Sequence, residues 1–486
     1  MKDKIEKTWM KYLILWIVLI VSYLFVRVTK MSQGTIQVLM ALSIIVIVAM
    51  ALFQLGNRKL EIKDIMFYLI IMGLIMRIGY MLYTFFQVRS HDMWDVSLDA
   101  SGHAAYILNI IEKGQLPKTN DLQFYQQPFF YLAGSLVSKI VNGILSSQAL
   151  TYYVDGAKLV SCFASCGILI HIPELCKVVK LKEKGTIAVT ALVAFLPSMY
   201  LSGGRVNPDM LGVYFVFMAL LYTFYWMEDQ TWKHTVILAV IYGLGMMTKI
   251  SCGIMAIVTA GVFIYKLWIA GKEKKAVPLI KKYLVFVCIS FPLGLWYSLR
   301  NFVKFGQSIM YVLDVSKDKI LYVGDVSMIK RFITISIENI IKTPYASAID
   351  DSNYPVYLLK SALFGEFTFK ISSLIPHLLL FAEILLVLMM LFVIIWSFVK
   401  KGWGIELKII LLFSMVLYAS NVWFNIKYPF GCSMDFRYLI PLGITVPILF
   451  AKGMDMMDNK QWNVAAWICI GMYSFLSCVM YLMISS

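Results

Sequence analysis

The sequence predicts an all-α polytopic membrane protein. Three observations carry that expectation. Of its 486 residues 60% are hydrophobic and only 15% charged, with a mean hydropathy of +0.76. A soluble protein of this length needs far more polar side chains to cover its surface. About thirteen stretches stay apolar over roughly 20 residues, the length of helix that crosses the hydrocarbon of a bilayer. Lys and Arg, 44 against 28 Asp and Glu for a net charge of +16, are denser in alternate connecting segments, as the cytoplasmic loops of a polytopic protein require. The composition excludes a soluble multidomain enzyme and a disordered chain. The positive charge reads as anchoring at the inner leaflet, with no nucleic-acid partner.

The elements follow in chain order. The first apolar run, 11–28, comes after Lys2, Lys4, Lys7 and Lys11 and lacks a small-residue cleavage site, so it reads as an anchor. Runs at 36–56 and 65–86 follow, then an outer segment over 87–154. Further runs lie at 155–173, 186–203, 207–226, 234–249, 251–270 and 282–299. The pair 234–249 and 251–270 is nearly continuous, interrupted by Lys249 and Ser251. A second outer segment covers 300–375, and the last runs are 376–399, 407–425, 436–452 and 463–484. Placing the N-terminus in the cytoplasm puts Lys272, Lys274, Lys275, Lys281 and Lys282 inside. The chain 1–486 reads as a single integral-membrane domain, with both outer segments folded against the membrane face. Of eight cysteines only Cys432 falls outside, so no disulfide framework is expected there, and no Cys-x-x-Cys pair exists.

The polar chemistry gathers in the first outer segment. Asp92, Asp95, Asp99 and Asp121 crowd there with His91 and His103. A helical pattern from Ala100 to Lys113 is stopped by Gly114 and Pro117. Asp99, at its start, suits either a helix cap or a site in which Asp99, His103 and Tyr106 share one face at i, i+4 and i+7. Pro128 predicts the first turn of a second, membrane-associated helix to about Ile140; Gln126 and Gln127 before it are candidate contacts for a polar ligand. The turn Gly203-Gly204-Arg205-Val206-Asn207-Pro208-Asp209 offers a charged pair, Arg205 and Asp209, either as caps or as the lining of a substrate cavity. Lys249, Arg300, Lys427 and Arg437 sit at outer span ends and together suit a phosphate or pyrophosphate ligand. Gly243 and Gly245 read as close helix packing. His171, His234 and His377 are isolated and receive no role.

These residues resemble the GT-C glycosyltransferases, in particular the branch of protein O-mannosyltransferases and lipid A aminoarabinose transferases. The resemblance rests on Asp99, His103, Tyr106 and Gly114 followed by Tyr125–Pro128; on Arg205-x-Asn207-x-Asp209; on Gly243-Leu244-Gly245 through Thr248-Lys249; on Arg300-Asn301 with Phe305-Gly306; and on Asp435-Phe436-Arg437-Tyr438 with Pro441. It departs from the family pattern where Asp99-Ala100 replaces an Asp-Glu pair, which leaves Asp92 as a substitute acid, and where Gln127-Pro128 replaces a Pro pair.

The resemblance implies a GT-C-like bundle with a helical first outer loop. It also implies a transferase moving a sugar from a polyprenyl-phosphate donor to a hydroxyl acceptor on the extracytoplasmic face of the plasma membrane; the Lys-, Ile- and Met-rich usage reads as bacterial. The acceptor would be an envelope glycan, a lipid or a protein. Asp99 would then be the general base. Asp92 and Asp209 would orient substrate or hold a divalent cation (Mg or Mn). Lys249, Arg300 and Arg437 would hold donor phosphate, and His103 and Tyr106 would shape the acceptor side. The competing readings are a lipid-linked glycan transporter or flippase, for which paired repeats and broken helices would speak, and a glycan polymerase or ligase.

Overall fold

Each stretch expected to span the membrane falls on helix in the computed structural model, which describes residues 2–93, 101–146, 149–274, 276–313 and 320–485, with side chains from residue 9 onward. In chain order the helices are α1 (Lys2–Thr29), α2 (Gln33–Gly56), α3 (Ile62–Tyr83), α4 (His103–Lys113), α5 (Phe129–Leu145), α6 (Leu150–Gly156), α7 (Lys158–Val178), α8 (Glu183–Ala194), α9 (Pro197–Gly203) and α10 (Asp209–Glu228). They continue as α11 (Trp232–Thr248), α12 (Met255–Lys272), α13 (Ala276–Phe305), α14 (Met328–Phe332), α15 (Ile337–Lys342), α16 (Tyr354–Phe364), α17 (Leu374–Val399), α18 (Ile405–Lys427), α19 (Leu442–Met456) and α20 (Lys460–Met483). Among the described residues there is no strand, only the isolated bridges Tyr322–Phe430 and Lys370–Ser485.

Among the described residues ten helices are long and apolar enough to cross a bilayer, or eleven when the bent pair α8–α9 counts as one. Two of the thirteen expected spans fall short. The helix α11 has 17 residues and α19 has 15; at about 1.5 Å per residue these reach ~26 and ~22 Å, under a core of about 30 Å. The composition of those runs is apolar, but a break at Lys249 ends α11 and an irregular stretch over 435–441 delays the start of α19.

The chain forms two compact units: Met1–Arg89, Cys166–Gly204 and Asp314–Ser486 make one, Ser90–Ser165 and Arg205–Leu313 the other. In the first, α3 lies against α8 at Gly73, where an added Cβ would meet Leu169 at 2.6 Å and Ala194 at 2.9 Å. The α8–α9 pair bends by 47°. A bend frees backbone carbonyls that lipid cannot satisfy. Arg77, fully buried on α3, donates to Val193 O at 2.7 Å and Ala194 O at 2.8 Å, so the break is closed by a guanidinium. Tyr80, Tyr83, Tyr200, Phe369 and Tyr481 pack edge to face around this point.

The second unit is a bundle of α10, α11, α12 and α13 carrying α4, α5 and α6. An added Cβ would place Gly243 2.7 Å from Leu293 on α13 and Gly245 3.1 Å from Phe215 on α10. Both glycines therefore serve close approach, as the sequence predicts. Thr259 bonds both Thr223, at 2.8 Å, and Tyr242, at 2.6 Å, which ties α10, α11 and α12 together by hydroxyls.

Candidate functional site

In the second unit α4 starts at His103, three residues later than expected. Gly102, at φ 108°, is its cap, and Gly114, at φ 62°, ends it in the left-handed region that glycine adopts without steric cost. The backbone N–H of His103 donates to the backbone carbonyl of Asp92 at 3.0 Å. That bond places Asp92, itself at φ 56° and exposed, beside the first turn of α4. The helix α5 begins after Pro128 and runs to Leu145, a turn beyond expectation. It buries Ser135, Ser138 and Asn142 and exposes Leu132, Leu136, Ile140 and Ile144. Polar inside and apolar outside is the pattern of a helix against lipid.

Tyr131 joins the two helices. Its ring stacks on Tyr106 at 3.8 Å. Its hydroxyl lies 2.8 Å from His103 Nδ1 and donates to Gln126 Oε1 at 2.9 Å. The Tyr106 hydroxyl donates to Gln126 O at 3.2 Å. Burial pushes both phenols well above their ordinary range. His103 and Tyr106 do share a face, but both are buried and bound to Tyr131 and Gln126. They act as supports for the loop Tyr125–Pro128.

That loop is also held by α13. Gln127 Nε2 donates to Ser298 Oγ at 3.1 Å. Tyr297 donates to Phe124 O at 2.8 Å and Asn301 to Tyr125 O at 3.3 Å. Arg300 donates to Pro117 O at 2.6 Å and to Asn301 Oδ1 at 2.8 Å. Tyr125 is the loop residue that senses the acids. Burial first, then the charges of Asp92 and Asp209, push its phenol up to about 12.

A second cluster centres on the ion pair of Asp209 with Lys249. Asn207 explains why Asp209 is available. Its Oδ1 accepts from the Asp209 N–H at 3.0 Å and so caps α10, while its Nδ2 donates to Asp209 Oδ2 at 3.2 Å. Asp209 Oδ1 accepts from Lys249 Nζ. The capping reading thus goes to Asn207, and the Asp209 carboxylate is left for the ion pair. Lys249 is aimed by the break after α11, where it takes an extended conformation at φ −155° before a short 3-10 turn, Ile250–Ile254. Cys252 in that turn lies 3.5 Å from Gly212 O on α10, closing the break onto the helix that carries Asp209. Arg205 is buried just ahead of Asn207.

Both Asp209 oxygens are engaged by Lys249 and Asn207. Among the described residues neither Asp92 nor Asp209 lies in a cluster of three ligating side chains.

Arg437 and Lys427 belong to the first unit. Asp435 accepts from the Arg437 N–H at 2.9 Å, and the Arg437 Nε lies 3.6 Å from the other carboxylate oxygen. The guanidinium also donates to Tyr438 at 3.1 Å. Lys427 lies over the ring of Tyr428. Asp95 and Asp99 lie outside the described residues.

Several polar residues escaped sequence reasoning. Tyr131 was hidden because its partner His103 is 28 positions away. Ser298 lay inside an apolar run. Asp155 and Lys158 form a fully buried ion pair at 2.8 Å; their i, i+3 spacing at the start of a predicted span was the available signal. His171, expected to be isolated, bonds Tyr12 at 2.7 Å and Glu174 at 2.8 Å.

Residues 155–296 match the family model for dolichyl-phosphate-mannose-protein mannosyltransferases. No curated protein matches the chain. The resemblance to the GT-C superfamily holds over these residues. The matched stretch contains Asp155, Lys158, Arg205, Asn207, Asp209 and Lys249, and leaves out Asp92, Asp99, His103, Tyr106, Gln127, Arg300 and Arg437. Together with the apolar helices, the match supports an integral membrane glycosyltransferase of GT-C type.

Proposed function

We propose that this membrane protein transfers a sugar from a polyprenyl-phosphate carrier to a hydroxyl acceptor on the extracytoplasmic face. The observation that carries the reading is the family match across 155–296, with the Asp209–Lys249 pair inside it. The acceptor oxygen attacks the anomeric carbon, the bond from that carbon to the phosphate oxygen breaks, and the lipid phosphate leaves with the electron pair. Asp99 takes the proton of the acceptor hydroxyl; general-base catalysis of this kind contributes about 10² to 10⁴-fold. The leaving phosphate gains charge, and preorganised cations stabilise it. Lys249, paired with Asp209 and partly exposed, supplies one such charge, with Arg205 and Arg300 as further phosphate ligands. His103 and Tyr106 position the Gln126–Gln127 loop that meets the acceptor, and Asp92 supplements Asp99. Lys249 offsets the charge of Asp209.

The test is a transfer assay on the purified chain in lipid with a polyprenyl-phosphate sugar donor. Asp99→Asn is expected to lower kcat by about 100-fold or more with donor binding retained; near-wild-type turnover overturns the base assignment. Flipping of labelled donor lipid with no transfer product would favour the transporter reading instead.

A further inference from the structure

The segment Met328–Lys342, within the first unit, displays its apolar side chains outward. Ile329, Ile333, Ile335, Ile337 and Ile341 are each between 61% and 74% exposed. Exposure of this kind over a few turns is more than scattered surface hydrophobicity. The ledge is also firmly held from behind. Arg331, buried, donates to Asn425 O at 2.6 Å. Asn353, which caps α16, donates to Lys330 O at 2.8 Å and Thr334 O at 2.5 Å. His377 Nε2 lies 3.2 Å from Ile341 O. The backbone of the ledge is satisfied by polar anchors while its isoleucines are turned away from the protein.

The anchors fix the level of the ledge. His377 sits in the first turn of α17 and Asn425 in the last turn of α18. Both helices are spans, joined by the short connection 400–404. Consecutive spans cross in opposite directions, so the start of α17 and the end of α18 emerge at one face of the bilayer. The ledge is therefore continuous with lipid-facing side chains of those spans, Leu374 and Leu378 on α17 and Trp423 and Ile426 on α18, all exposed. Lys330 and Lys342, exposed near either end of the ledge, outnumber its one acid, Glu338. Apolar residues flanked by lysines at a membrane boundary match an anionic leaflet.

We propose that Met328–Lys342 is a monotopic insertion, its isoleucines sunk among acyl chains and its lysines on anionic lipid headgroups. It would hold the second outer segment at the lipid plane independently of the reaction the protein performs.

The test places the photo-crosslinker p-benzoylphenylalanine at position 333, at 337, or at the exposed polar control Asp325, in the full chain. The protein is reconstituted in nanodiscs of phosphatidylcholine alone or mixed with phosphatidylglycerol, irradiated and weighed intact. Positions 333 and 337 are expected to give one-lipid adducts at about five-fold or more over 325. Phosphatidylglycerol adducts should exceed their share of the mixture, and Lys330→Gln with Lys342→Gln should return them to that share. Lipid adducts no higher than at 325, or adducts to a second protein chain, would overturn the proposal.

Discussion

Asp209 and Lys249 make a clear test at the scale of single residues. Removing one partner of a largely buried pair leaves the other charge without compensation, whereas removing both can be nearly neutral. Lys249→Met is expected to lower stability by on the order of 2–3 kcal/mol, and Lys249→Met with Asp209→Asn by roughly half as much. Thermal unfolding in detergent checks this, with Asp209→Asn as the other single variant; a loss in the double variant equal to the sum of the two single losses would argue that the pair is not coupled. Tyr125 predicts a pH effect. The folded phenol keeps its proton to about 12 and the unfolded one loses it near 10. The native state therefore binds more protons in that window. The contribution is complete below pH 10 and is lost as pH rises through 12. Tyr125→Phe should flatten the fall in thermal midpoint on the alkaline side, and an unchanged slope would contradict the assignment.

The same reasoning applies to elements through their glycines. An added Cβ at Gly431, in the turn after α18, would lie 1.9 Å from the backbone oxygen of Ala348, a group that cannot rotate away. Gly471 in α20 has open space around it. Gly431→Ala should therefore cost about 1–3 kcal/mol or more through overpacking, and Gly471→Ala should be neutral or stabilising by up to about 1 kcal/mol from helix propensity. Comparable thermal midpoints for the two variants would refute this account. Element boundaries are legible where a residue has a mechanical reason to start or end a helix: Pro128 and Pro208 start α5 and α10, and Gly114 and Lys249 end α4 and α11. The lengths of α11 and α19 were less so, because apolar composition continues past the point where the backbone turns.

For the molecule as a whole, the distribution of Lys and Arg predicts sidedness. Glu273→Cys, beside Lys272 and Lys274, should resist a membrane-impermeant thiol reagent in intact cells and label after permeabilisation. Lys118→Cys in the first outer segment should label in both. The opposite pattern would invert the topology and move the proposed reaction to the cytoplasmic face.

The sequence by itself determined that the chain is helical, crosses a membrane many times and carries a GT-C-like set of acids and cations at span ends. Apolar run length and charge are local properties, and a bilayer reads them locally. Only the tertiary structure decided which of those polar residues meet. Asp209 could have capped its own helix; Asn207 takes that place and Lys249, 40 positions on, takes the carboxylate. His103 and Tyr106 share a face, as their spacing predicts; that the partners on that face are Tyr131 and Gln126 was decided by packing. Such pairings depend on where distant helices break and pack, and a buried polar group binds whichever partner that packing brings within hydrogen-bond reach.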